Sequence, residues 1–295
     1  MDQASIRRPE GLKVTYRRMK FPFEDAGFAR YWHGGSPFRS LFWTQLSTAF
    51  EPGEKFFIDS ARALKSEIHD PALLDELAEF CRQEGHHTAQ HLKFDRINER
   101  LGVDVRGCRD RYAKVLERTR ASLDPMGMLA VTVALEHFTA GFAEQYFDKP
   151  RLSEDADPGV QALWAWHAAE EAEHKATCFD IYQQLGGGYL RRVSMMFGAW
   201  SLILWLSLVN THVLLWQDRK LFSLDTLRGY WYLFGRGGLV SGMGRSFLAY
   251  FSPRFHPWKA DNSAQIRTWE AANDQYIVRR NTEPPPASQP APNAA

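Results

Sequence analysis

Glutamates and histidines in this sequence stand in an order that could hold two metal ions. In Trp166–Lys175 only Ala and Glu separate His167 from His174, a composition that favours helix. His167, Glu171 and His174 fall at i, i+4 and i+7, so all three project along one stripe. Upstream, Glu84, His87 and His91 fall at i, i+3 and i+7 of Gln83–His91. Each stretch carries a Glu-x-x-His pair, which sets a carboxylate beside an imidazole. Single glutamates complete the set: Glu54 precedes Glu84 by 30 positions, and Glu136 precedes Glu171 by 35. Those separations suit neighbouring antiparallel helices with short connections.

Four carboxylates with two imidazoles form a hard, oxygen-rich donor set, which suits iron or manganese before zinc. His167 would be a seventh donor. His91 competes for that place, and could equally orient a carboxylate from behind. Glu136 is the only carboxylate between Asp124 and Glu144 in an almost wholly apolar segment. A buried carboxylate without a partner is costly, so Glu136 needs one. Glu54 shares an apolar stripe with Phe57, Ile58 and Ala61; its blander role is to meet a helix dipole. His137 reads as a core histidine. Cys81, Cys108 and Cys178 read as reduced thiols, with Cys81 and Cys178 as small buried hydrophobes.

The helices that must position these groups announce their ends. Pro37 opens one with Leu41, Phe42, Leu46, Ala49 and Phe50 on a face, and Pro52-Gly53 interrupts it to start the helix of Glu54. Asp70-Pro71 caps a helix running to about Leu101, and Asp124-Pro125 starts a third after a shorter helix from about Arg109 to Ser122. The fourth runs from about Pro158 to Leu185, before Gly186-Gly187-Gly188. The expectation is an all-α chain: an irregular arm over 1–36, a four-helix bundle over 37–188, a hydrophobic helical extension over 189–282 and a disordered proline-rich tail over 283–295.

Pro52-Gly53-Glu54-Lys55-Phe56-Phe57, Glu84-Gly85-His86-His87, Glu136-His137, the Glu170–Lys175 run and Phe255-His256-Pro257-Trp258 together resemble a bacterial family known as predicted metal-dependent hydrolases. The likeness covers most of the chain. The ligand order is also similar to that of ferritin-like di-iron carboxylate proteins, which implies a ferritin-like bundle holding two irons. His167-x-x-x-Glu171-x-x-His174 is similar to the final helix of di-iron arylamine N-oxygenases, where an added histidine joins the usual six ligands. That resemblance maps His167 to the extra ligand and is confined to the motif.

By fold analogy the expected activity is that of a non-haem di-iron oxygenase or oxidase. It would use O₂ and an external electron donor on an apolar, acyl or lipid, substrate, with manganese or a mixed Fe/Mn pair as variants. Two alternatives stand beside it. One is a metal-dependent hydrolase, whose cations generate hydroxide and clamp a leaving oxygen; the other is a non-catalytic metal-binding bundle. In either enzyme, Glu54, Glu84, His87, Glu136, Glu171 and His174 act through the metals.

With 36 Lys/Arg against 35 Asp/Glu, the chain offers no electrostatic case for nucleic acid. Ten Trp, ten Tyr and twenty Phe suit an apolar pocket or an interfacial surface. From Val193 to Gln217, 25 residues pass without Asp, Glu, Lys or Arg, enough to span a bilayer. Arg191-Arg192 and Arg219-Lys220 flank both ends and assign no orientation, and Asn210, Thr211 and His212 weaken a span. Tyr230 to Phe251, broken by Arg236, Arg245 and glycines, suits an interfacial hairpin. Met1 to Val14 has no apolar run of the kind a signal peptide needs. The expectation is a cytoplasmic protein in which the hydrophobic segment meets the inner face of the membrane, a second copy or the core.

Overall fold

The computed structural model describes residues 8–273 and the backbone of 277–278. The tail expected over 283–295, and the first seven residues of the expected arm, lie outside the described residues. In chain order the elements are β1 (Arg18–Met19), α1 (Phe23–Ala26), α2 (Pro37–Ser47), α3 (Phe50–Ala63), α4 (Pro71–Arg100), α5 (Val105–Ser122) and α6 (Pro125–Asp148). There follow α7 (Pro158–His174), α8 (Thr177–Gln184), α9 (Tyr189–Gln217), α10 (Leu224–Phe234), α11 (Leu239–Gly242), α12 (Gly244–Tyr250), α13 (Ser263–Asn273) and β2 (Ile277–Val278), which pairs antiparallel with β1. The chain is an all-α bundle, as the sequence predicts.

One capping device starts four of these helices. Ser36, Asp70, Asp124 and Asp157 each precede a proline and accept a backbone N–H from the first turn that follows. Proline fits there because its missing N–H has no helical partner to lose, and the cap oxygen satisfies one of the free donors. The same logic corrects one expected boundary. Pro52 does not interrupt a helix but sits in the first turn of α3, and the break from α2 falls at Thr48–Ala49.

A second boundary differs more. The expected helix from Pro158 to Leu185 is two, with α7 ending on His174 and α8 beginning at Thr177. At the break, buried Lys175 donates to the Ala260 carbonyl and to Asn262 Oδ1, and its Nζ lies 4.1 Å from the Trp258 ring centroid. The first 36 residues also contribute more than a covering arm, since Phe21, Phe23 and Trp32 are buried in the main apolar cluster.

On α4 and α6 the apolar residues belong to two separate clusters, with a polar layer between them. On α4, Leu73, Leu77 and Phe80 fall in one cluster and Phe94 and Ile97 in the other, with Glu84, His87 and His91 in the gap. On α6, Leu129 to Ala134 and Phe142 to Tyr146 flank Glu136 in the same way. Apolar packing on both sides therefore holds the polar layer at one height in the bundle.

Helices α6 and α9 are both long and apolar enough to cross a membrane by length and composition. The apolar window of α6 is 72% buried, as a core helix must be, while that of α9 is 22% buried.

Candidate metal centre

Helices α3, α4, α6 and α7 each send donors into the polar layer. Glu54, His87 and His167 form one buried group and Glu84, Glu171 and His174 another; within each, one donor atom per residue lies within 4.8 Å of the others. Glu136 adjoins the second group, with Oε2 3.3 Å from His174 Nε2. Glu171 reaches both groups: Oε1 is 2.9 Å from His167 Nε2 and 3.6 Å from His87 Nδ1, and Oε2 is 3.4 Å from His174 Nε2. Thus all seven sequence-predicted residues meet in one layer. His91 stands behind His167, its Nε2 2.7 Å from His167 Nδ1.

The donor set fits metal ions by a specific test. Eight buried atoms here carry no hydrogen bond: Glu54 Oε1, both Glu84 oxygens, His87 Nδ1, both Glu136 oxygens, Glu171 Oε2 and His174 Nε2. Buried polar atoms are almost always paired, and so many convergent acceptors, His174 Nε2 among them at 3.1 Å from Glu84 Oε1, would be costly without cations or shared protons between them. The opposite atoms of the same side chains are held. Thr88 Oγ1 donates to Glu54 Oε2 at 2.6 Å, Gln83 Oε1 accepts from His174 Nδ1 at 2.9 Å, and His87 Nε2 lies 3.1 Å from Glu170 Oε2. Each partner orients a donor and leaves its other atom facing inward, the arrangement that fixes a ligand's geometry.

The tautomer of His167 follows from a longer chain of bonds. Arg109 donates to Asp95, and Ser47 Oγ donates to Asp95 Oδ1 at 2.7 Å. Burial raises Asp95, yet Ser47 and Arg109 limit the rise to about 6, so it is ionised at neutral pH and only accepts. Ser47 Oγ must then accept from His91 Nδ1 at 2.9 Å, and His91 Nε2 from His167 Nδ1. His167 Nε2 is left to face Glu54 at 3.9 Å and Glu171 Oε1 at 2.9 Å, the place of a ligand atom once a cation replaces the hydrogen bond to Glu171.

Without cations the layer stores protons. Burial pushes Glu54 and Glu84 well above the usual carboxylate range and Glu136 to about 7. His87 is held neutral by burial and by His167 beside it. For His174, burial would lower the pKa, but Glu136, Glu171 and Glu84 overrule it and the imidazole is raised well above 6.5. Burial alone would raise Glu171; His174 and His167 instead hold it well below. A cation must displace the protons on the raised carboxyls and on His174, so affinity falls as pH is lowered through the Glu136 value near 7. Calorimetric titration with Mn²⁺ in buffers of different ionisation enthalpy is expected to show release of roughly two or more protons per chain. A heat independent of buffer would contradict that protonation pattern.

Several residues of this site were not singled out from sequence. Gln83 and Glu170 each precede a ligand by one position, and Glu173 precedes His174. A polar neighbour on the flank of a ligand stripe in an Ala-rich helix was the available signal. Arg17 gave none: it bonds Glu173, Glu170 and Glu270 from the far end of the chain.

Residues 15–261 match the family described as "Predicted metal-dependent hydrolase", and the chain belongs to that family. Searches of curated proteins and of solved structures returned no match. The family description corrects the expected oxygenase or oxidase: it names a predicted metal-dependent hydrolase, the alternative stated beside it. The physical reason for the error is that a carboxylate-rich pair of metal positions serves hydrolysis as well as redox chemistry, so ligand order alone does not separate them.

Proposed function

We propose that this member of the predicted metal-dependent hydrolase family cleaves its substrate with two divalent cations, the scissile bond lying beside an apolar chain. The observation that carries this reading is the continuity of donors and cavity. A cavity of about 340 Å³ has Glu54, His167 and Glu171 in its wall, while Phe57, Leu135, Phe138 and Leu206 are typical of the rest. Pockets with apolar walls and a few convergent polar groups are the usual form of small-molecule sites.

Glu54, His87 and His167 would hold one cation, and Glu84, Glu171 and His174 the other, with Glu136 beside the second. The oxygen-rich donors favour manganese or iron over zinc. A cation pair there supplies Lewis acidity and a nucleophile ionised at neutral pH. The protein's own groups do the rest. Gln83, Thr88 and Glu170 keep the donors oriented, and the chain Asp95–Ser47–His91 keeps the His167 proton on Nδ1. The apolar walls exclude bulk water from the chain side of the substrate, which strengthens charge interactions in the donor layer.

The test is turnover of esters and amides of graded acyl length by the Mn²⁺-loaded protein in H₂¹⁸O. Metal-dependent cleavage is expected, with one ¹⁸O in the released acid and a preference for longer chains. Absence of cleavage across the panel, or cleavage that survives chelation, would remove the reading. Ala199→Phe, which puts a ring into the cavity wall, is expected to lower long-chain turnover by roughly tenfold or more while sparing short-chain esters, by overfilling a packed site. Equal loss for all chain lengths would show that the cavity does not hold the chain.

A further inference from the structure

Among the described residues, every large apolar side chain that stands exposed lies between Tyr189 and Leu248. They form two helical stripes joined through one turn. On α9, Leu190, Phe197, Trp205 and Trp216 follow one helical stripe at 77%, 65%, 58% and 66% exposure. On α10, Leu224, Leu227, Trp231 and Phe234 fall at i, i+3, i+7 and i+10 and all point outward. Phe222, 90% exposed, sits in the turn between the two helices with its ring 6.5 Å from that of Trp216.

Neither helix can turn this face inward. The inner side of α10 is seated through Gly229, where an added Cβ would lie 2.0 Å from the Phe38 ring. The inner side of α9 is tied to the body by polar bonds, Asn210 to Arg111 and Ser207 to Tyr112. These anchors also oppose withdrawal of α9 to span a bilayer by itself.

Charge narrows what covers the face. Residues 189–254 hold eight Lys/Arg and two Asp/Glu, in a chain that has 36 and 35 overall. Both acids are engaged with the body: Asp218 accepts from Arg30 and Tyr31, and Asp225 from Ser36 and the Phe38 N–H. Arg219, Lys220, Arg228, Arg236 and Arg245 are exposed and enter no ion pair among the described residues. Two copies meeting through this face would bring two cationic rims together, which is unfavourable. An anionic lipid surface offers the complement of both features, since aromatic and aliphatic rings enter the acyl boundary while Arg and Lys meet phosphates.

We propose that the α9–α10 face docks in the plane of an anionic bilayer. The cavity opens on the same side: Gly198 and Leu202 line it and are themselves exposed next to Phe197 and Trp205. Resting on the functional reading above, the docked chain draws its apolar substrate from lipid rather than from water. The docking itself requires no turnover.

Flotation of the full metal-loaded chain with vesicles tests it, using phosphatidylcholine alone and phosphatidylcholine mixed with phosphatidylglycerol. Binding to the anionic vesicles, weakened by salt and much reduced on the neutral ones, is expected. The variant Arg219→Gln/Lys220→Gln/Arg228→Gln should lose roughly fivefold in partitioning per cation. Phe222→Ser/Leu227→Ser/Trp231→Ser should lose roughly tenfold or more while keeping the wild-type thermal midpoint, because these side chains are exposed. No flotation with either vesicle overturns the proposal. So does a stable dimer that the serine variant splits, which would make the face a contact between copies. Flotation without hydrolysis would leave the docking intact and remove the functional reading instead.

Discussion

Replacing Glu171 with alanine is expected to empty both metal positions and abolish turnover. The reason is geometric. Glu171 approaches both groups closely, 2.9 Å from His167 and 3.4 Å from His174, whereas Glu84 is 3.1 Å from His174 but 4.0 Å from His87. Loss of a partner one bond behind a ligand typically costs 10–100-fold in metal affinity, so removing a ligand shared by both positions should cost more than about 100-fold. Gln83→Ala supplies the internal comparison: it frees His174 Nδ1 without removing a donor and should fall in the smaller range. Metal content after dialysis against a fixed free Mn²⁺ concentration measures both. A Glu171→Ala protein that still binds two ions with near wild-type affinity would contradict the assignment. Retention of one ion would restrict Glu171 to a single position.

Arg17→Ala is expected to be the most destabilising change outside the donor layer. The guanidinium is 6% exposed and faces three carboxylates, of which Glu170 and Glu173 are fully buried. Burial already raises Glu170 to about 8 against the pull of Arg17. Deleting one partner of a buried ion pair costs about 3–5 kcal/mol, because the carboxylate left behind, here Glu173, keeps its desolvation penalty. At about 2–4 °C per kcal/mol for a chain of this size, the thermal midpoint should drop by roughly 6–20 °C. Adding Glu173→Gln should recover part of the loss, since it removes the stranded charge. Arg17→Lys should not restore it, because a point charge cannot serve several carboxylates as a planar fork does. A midpoint within about 2 °C of wild type for Arg17→Ala would show that water compensates Glu173.

What the sequence disclosed was local. The order of donors reads from i, i+3 and i+4 spacing, and the helix starts read from Pro37, Asp70-Pro71, Asp124-Pro125 and Pro158, because both effects act within one or two turns. Arg17 was silent because its partner Glu173 lies 156 positions away. The break after His174 was equally silent: Lys175 is fixed there by Ala260 and Asn262, and an Ala- and Glu-rich stretch gives no local reason to stop. Composition showed that Val193–Gln217 and Tyr230–Phe251 are apolar. It could not show that α10 turns Leu224, Leu227, Trp231 and Phe234 outward, a matter of how Gly229 seats on Phe38. Reaction class was the least legible, since Glu54, Glu84, Glu136 and Glu171 would hold the same cations for either chemistry.

The division of the donors among α3, α4, α6 and α7 also matters while the chain is being made. His87 and Glu171 are separated by 84 positions, which at ordinary rates of translation is an interval on the order of ten seconds. During it, Glu54, Glu84 and His87 have emerged without the residues that complete either group. In water their charges are hydrated and harmless; closing the bundle strips that hydration, and either protons or cations must enter with the carboxylates. A newborn chain that closes on protons sheds them later, as cations enter by the cavity that reaches Glu54, His167 and Glu171. The bundle can therefore close before any ion is bound, with protons keeping the places that cations take later.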